Sequence, residues 1–113
     1  MIWGHPSEEK FACILDYKRI KWKYEPHMIV LKEKNGITVK GFRPDFYLPD
    51  KDLYIEISTA KNQGKKNRKM TMVADLYPHI NIILLTNKRL ERIFKRYDFL
   101  WPEENICDIL QNE

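Results

Sequence analysis

Apolar residues recur at helical spacing near the start of the chain, where Phe11, Ile14 and Leu15 follow Ser7-Glu8-Glu9. This predicts a helix from about Glu8 to Lys18, with Ser7 as N-cap and two acids in the first turn, where the helix dipole favours them. Ile20 to Tyr24 and Met28 to Lys32 read as strands, and Asn35-Gly36 is a hairpin signal. Alternating residues then predict strands over Val39 to Leu48 and Leu53 to Ser58. Gln63-Gly64 interrupts the pattern ahead of a second helix, from about Lys65 to Leu76, which ends near Pro78. Asn81 to Thr86 carries the continuous apolar run Ile82-Ile83-Leu84-Leu85, expected of a strand buried on both faces. A strand, a helix and a second such strand suggest a right-handed crossover with parallel pairing. Leu90, Ile93, Phe94 and Tyr97 mark one face of a third helix. The order α-β-β-β-β-α-β-α predicts an α/β sandwich with a central mixed β-sheet flanked by helices, in a single domain over residues 1–113.

The hairpin between the last two predicted strands carries the chemistry. Pro49-Asp50-Lys51-Asp52 supplies its turn. If Leu48 and Leu53 close it, Tyr47 lies opposite Tyr54 and Asp45 opposite Glu56. Cβ atoms so paired are about 4.5–5.5 Å apart, where like charges are destabilising. Alternation puts Leu53, Ile55 and Ile57 on one face and gathers Asp45, Glu56 and Ser58 on the other. Two hard oxygen ligands suit Mg²⁺ or Mn²⁺, which can activate water and stabilise charge on a phosphodiester. The competing reading makes Asp45 a turn residue after Pro44 and Glu56 a solvated strand residue.

Composition narrows the field. The 113 residues are 43% hydrophobic and 32% charged, which fits a globular domain with a core that needs no disulfide. Cys13 and Cys107 lack metal-ligand spacing and are expected to be buried or inert thiols. No apolar run approaches the length of a membrane span and no signal peptide is evident, so a cytoplasmic protein without a membrane partner is expected. The net charge is +4, concentrated in Lys61, Lys65, Lys66, Arg68, Lys69 and again in Lys88, Arg89, Arg92, Lys95, Arg96. After Arg96 the charged residues are all acidic (Asp98, Glu103, Glu104, Asp108, Glu113), so the tail is expected to cap the fold and not to touch nucleic acid. His5, His27 and His79 have no ligand spacing, and Trp3, Trp22 and Trp101 read as core or edge anchors.

Pro44-Asp45 followed by Glu56-Ile57-Ser58 resembles the PD-(D/E)xK nuclease superfamily, with Ser58 in place of the motif lysine. The resemblance extends to Ser7-Glu8-x-x-Phe11-Ala12, Trp22-x-Tyr24-Glu25-Pro26, Pro44 to Pro49, Tyr54-Ile55-Glu56 and Lys66-Asn67-Arg68-Lys69. It implies a restriction-endonuclease-like fold and an Mg²⁺- or Mn²⁺-dependent endonuclease acting on nucleic acid, with DNA the expected substrate. Asp45, Glu56 and the Ile57 carbonyl would be metal ligands, with Glu8 a supporting carboxylate and Glu9 the weaker choice. A serine hydroxyl cannot replace a cation in stabilising developing negative charge. A lysine moved to the second helix could, and Lys69 is favoured slightly over Lys66, which lies on the same helix face. Lys61, Lys65, Asn67 and Arg68 are expected to contact the nucleic-acid backbone. Ser58 keeps a second reading open, a catalytically inactive nucleic-acid-binding module on a nuclease scaffold. So small a nuclease makes few base contacts, which raises the expectation of a homodimer or a larger DNA-processing partner.

Overall fold

The computed structural model describes residues 3–58 and 61–102. The acidic residues Glu103, Glu104, Asp108 and Glu113, the capping role expected of them, and Cys107 all lie outside the described residues.

Helix α1 spans Pro6–Tyr17. Its N-cap is His5, not Ser7: the Ser7 N–H donates to His5 Nδ1 at 3.1 Å, and the His5 N–H donates to Glu8 Oε2 at 3.2 Å. Proline at the first helical position has no N–H to leave unsatisfied, so Pro6 moves the cap one residue ahead of it. Strand β1 is only Lys23–Tyr24. Strands β2 (Ile29–Lys34) and β3 (Ile37–Phe42) form a separate two-stranded ribbon. It turns at Asn35 (φ 53°) and Gly36 (φ 78°), the two left-handed positions a tight hairpin needs.

The strand predicted over Val39 to Leu48 is two strands. Proline offers no ladder donor, and at the buried Pro44 the chain leaves the ribbon. It resumes as β4 (Phe46–Leu48) beside β1, while the Glu25 N–H holds the Asp45 carbonyl at 2.9 Å. A short 3-10 turn, Pro49–Lys51, leads through left-handed Asp52 (φ 47°) into β5 (Leu53–Ile57). The register is Leu48 opposite Leu53, Tyr47 opposite Tyr54 and Phe46 opposite Ile55.

Helix α2 runs Gln63–Leu76, taking in the Gly64 that was expected to precede it. Strand β6 (Ile82–Leu85) then pairs parallel with β5, and α3 spans Asn87–Arg96 with Thr86 as its N-cap. The main sheet has the order β1-β4-β5-β6 and is mixed, since only the β5–β6 pair is parallel. The fold is therefore mixed α/β, with three helices, a four-stranded sheet and the ribbon among the described residues. Strand β6 lies at the sheet edge, and Ile83 is 36% exposed, so the run is not buried on both faces.

Two apolar clusters hold the layers together. Phe11, Ala12 and Leu15 of α1 and Leu90 of α3 pack on Phe46, Leu48, Ile55, Ile57 and Leu85, with Trp3 and Trp22 partly buried against them. On the other side Val73 of α2 meets Ile29, Leu31 and Phe42 of the ribbon, flanked by Met70 and Ile82. Each buried aliphatic side chain contributes about 1.5–3 kcal/mol through removal of apolar surface from water. The result that matters for the site is that α2 is clamped between ribbon and sheet, above the face of β5 that carries Glu56. No helix among the described residues is long and apolar enough to cross a membrane.

Candidate active site

Beyond Phe46 the β4–β5 ladder ends, and two side chains take over from backbone carbonyls. Glu56 Oε1 accepts from the Asp45 N–H at 3.0 Å, and Asp45 Oδ2 accepts from the Ile57 N–H at 2.8 Å. Each carboxylate thus satisfies a donor on the opposite strand, which fixes both groups without a flexible step. Asp45 is 7% exposed and Glu56 5% exposed, so neither is a solvated strand residue.

Glu8, not Glu9, is the third carboxylate. It is buried, whereas Glu9 is exposed. Its Oε2 accepts from the Gly4 N–H (2.8 Å), the His5 N–H (3.2 Å) and the Tyr24 hydroxyl (2.7 Å). Desolvation, and then the hydrogen bond to Glu8, push the Tyr24 phenol upward. Glu8 also acts on the Asp45 carboxyl, pushing it upward. Asp45 is pushed far above its ordinary value, to about 9, by burial first and then by the Glu56 charge, against the lowering effect of the Ile57 N–H. Three buried carboxyl groups therefore meet at one end of the hairpin, where burial and then the Glu56 charge favour the protonated form of Asp45.

One ammonium reaches them. Lys66 Nζ lies 3.2 Å from Glu56 Oε2 and donates to the Ile57 carbonyl. Lys69 goes elsewhere: its Nζ sits 5.7 Å from the centre of the Phe42 ring. The preference for Lys69 is thus reversed, because Lys66 lies one turn nearer the start of α2 and so nearer the end of β5. Ser58 does not join Asp45 and Glu56 either. It is 1% exposed, and both its N–H (3.0 Å) and its hydroxyl (3.5 Å) point to the Leu85 carbonyl on β6.

The expected backbone-contact residues separate. Lys61, Lys65, Asn67 and Arg68 are all exposed. Lys65 and Arg68 line a groove with Lys40 and Lys69, whereas Asn67 faces the opposite flank of α2, beside Gln63, Thr86, Asn87 and Lys88. Lys40 was not anticipated, and nothing in its local sequence marks it; only the packing of ribbon on helix brings it there. Cys13 is exposed and not buried, with its thiol raised by partial desolvation and by Glu9 and Asp16.

Among the described residues no group of three or more His, Cys, Asp or Glu side chains is arranged to hold a metal ion. What converges is a different donor set: the Asp45 and Glu56 carboxylates and the Ile57 backbone carbonyl, with Glu8 behind Asp45. All are hard oxygens, suited to Mg²⁺ or Mn²⁺. Compared with known proteins, the chain matches no family model, no curated protein and no solved structure.

Proposed function

We propose that this protein is a metal-dependent endonuclease-like hydrolase that cleaves nucleic-acid phosphodiester bonds, DNA foremost, on a reduced restriction-endonuclease-like scaffold of the PD-(D/E)xK type. The observation that carries the reading is the convergence of Asp45, Glu56 and the Ile57 carbonyl with the Lys66 ammonium at one end of a rigid hairpin. The donor set fits a divalent cation in chemistry and in charge. Three buried carboxyl groups face one ammonium, and Asp45 is raised by burial and then by the Glu56 charge, both of which a bound cation would offset.

A bound Mg²⁺ or Mn²⁺ would supply Lewis acidity and a more acidic water. The chain does the rest. The Ile57 and Asp45 N–H groups hold the two carboxylates in register, each leaving its second oxygen clear of these backbone bonds. Glu8, fixed by three donors, backs Asp45 and keeps its carboxyl oriented. Lys66 brings a movable cation to the same site, where it can stabilise negative charge developing on a phosphate, the part Ser58 cannot take.

The test is calorimetric titration of Mn²⁺ into the wild-type protein, Asp45→Ala and Glu56→Ala, with cleavage of a labelled DNA measured alongside. Binding and cleavage in the wild type that vanish in both variants support the reading. Full activity in either variant removes these residues from the mechanism.

A second reading rests on Lys66. Its ammonium already holds two of the three donor atoms, Glu56 Oε2 and the Ile57 carbonyl. As a permanent counter-ion it would make the site structural and leave a nucleic-acid-binding module without catalysis. In that case neither protein nor protein–DNA complex takes up Mn²⁺.

A further inference from the structure

We propose that the groove between α2 and the β2–β3 ribbon is the track that holds a DNA phosphodiester backbone and leads it to the carboxylates; the inference rests on the hydrolase reading and extends it to the substrate's path. The groove encloses about 440 Å³ and is lined by Lys40, Lys65, Arg68, Lys69, Thr71 and Met72, with no carboxylate in its wall. On α2 the positions Lys65, Arg68, Lys69 and Met72 fall at i, i+3, i+4 and i+7, a single stripe along the helix. Lys40 closes the groove from β3, on the far wall.

Among the described residues none of the four cations is ion-paired: Lys40 Nζ has only the Met72 sulfur at 3.8 Å, and Lys69 Nζ only the Phe42 ring. A thioether sulfur is a weak acceptor and a ring face offers no lone pair, so ammonium donors remain to be met. Four like charges collected from two elements repel one another unless an anion lies between them. A run of phosphates along the stripe from Lys65 to Lys69 is such an anion. The stripe from Lys65 to Lys69 advances about 6 Å along the axis. Lys66, which holds Glu56 and Ile57, neighbours Lys69 at i, i+3 on the edge of this stripe, so a strand held at Lys69 passes beside the carboxylates.

The other flank of α2 is different. Gln63, Gly64, Asn67, Thr86, Asn87 and Lys88 line it, with one cation among them. Asn67 is therefore outside the track, despite its neighbours in sequence.

Salt dependence tests the groove directly. Fluorescence anisotropy of a fluorescein-labelled DNA, single-stranded and duplex in separate arms, is followed in EDTA between about 50 and 200 mM NaCl. Removing metal keeps the site chemistry out of the readout. Each phosphate neutralised contributes about −0.9 to the slope of log K against log salt for duplex and about −0.7 for a single strand. Lys40→Gln and Lys69→Gln should each flatten the slope by about that amount, while Asn67→Ala and Lys88→Gln leave it unchanged. The arm with the larger wild-type slope identifies the form of DNA held. An unchanged slope in Lys40→Gln, or equal flattening by Lys88→Gln, overturns the groove. Because Mn²⁺ binding at Asp45 is read separately, failure of the groove and failure of the hydrolase reading are distinguishable.

Discussion

Replacing Asp45 by Asn should make the metal-free protein more stable at neutral and alkaline pH, an unusual sign for loss of a buried, hydrogen-bonded group. The folded-state pKa of Asp45 is raised from 3.8 to about 9 by burial and by Glu56. A raised value means the folded state holds a proton that the unfolded chain releases. The associated stability is fully present below about pH 4 and is lost progressively as pH climbs to about 9. At pH 7 the loss spans about 3 units at 1.36 kcal/mol each, a bound of about 4 kcal/mol. Relaxation and water entry around the buried charge lower that bound, so about half of it is expected, or about 2 kcal/mol. Asparagine carries no charge, keeps an oxygen for the Ile57 N–H and adds an amide that can donate to Glu56 or Glu8. The assay is thermal and urea unfolding in EDTA of wild type and Asp45→Asn at pH 5, 7 and 8.5. The wild type should weaken with rising pH relative to the variant, and the variant should melt about 10 °C higher at the alkaline end. Parallel pH profiles, or a variant less stable at pH 8.5, would refute the charge argument.

Lys66→Met should cut single-turnover DNA cleavage by about 10²–10³-fold, as expected for loss of a charge-stabilising group, while Lys69→Met changes the cleavage step little and weakens DNA binding instead. The same Lys66→Met variant, without metal, should lose about 3 kcal/mol in urea unfolding, because Glu56 is left buried without its partner. Glu8→Gln retains an acceptor for Gly4, His5 and Tyr24 and should unfold within about 1 kcal/mol of wild type, whereas Glu8→Ala strands those donors and should cost about 2 kcal/mol by the same assay. Gly36→Ala places a side chain at φ 78° and should destabilise by about 1 kcal/mol while leaving Mn²⁺ affinity at the hairpin unchanged in calorimetry.

The hairpin was the most legible part of the chain. Period-two alternation on both sides of Pro49, together with Leu48 and Leu53 as the closing pair, is enough to set every partner up to Phe46 and Ile55. The break at Pro44 was harder to see, because Val39, Gly41 and the residues beyond continue an acceptable strand pattern through Arg43. A missing donor at Pro44 was the available signal, and it marks a strand end wherever both neighbours need the ladder. Pro6 likewise pointed to His5 as the cap, though histidine is seldom expected there. The choice between Lys66 and Lys69 was not decidable from spacing. The two share a helix face but stand about 4.5 Å apart along the axis, and which of them meets Glu56 depends on where α2 is set down against β5. Burial of Glu8 depended on Tyr24 and on the backbone at Gly4, neither of which carries a local mark of that role. Lys40 belongs to the same class, since it reaches the α2 groove only through packing between elements distant in sequence.

The contacts that build the site are short in chain terms. Asp45 bonds the N–H of a residue 12 positions on, and Lys66 reaches back 9 positions to Ile57. Such loops close at small entropic cost, and contacts of this kind form early when a domain folds. Glu8 comes from the far end of the chain, on a helix whose apolar face must wait for the sheet to exist. On this ground we expect the carboxylate pair and its ammonium to form a hairpin-and-helix nucleus, with the third acid added when α1 docks, an order that φ-values high at Ile57 and low at Phe11 would support. By that point the apolar contacts of Phe11 and Leu15 with Phe46 are available to outweigh the repulsion that the third carboxyl brings.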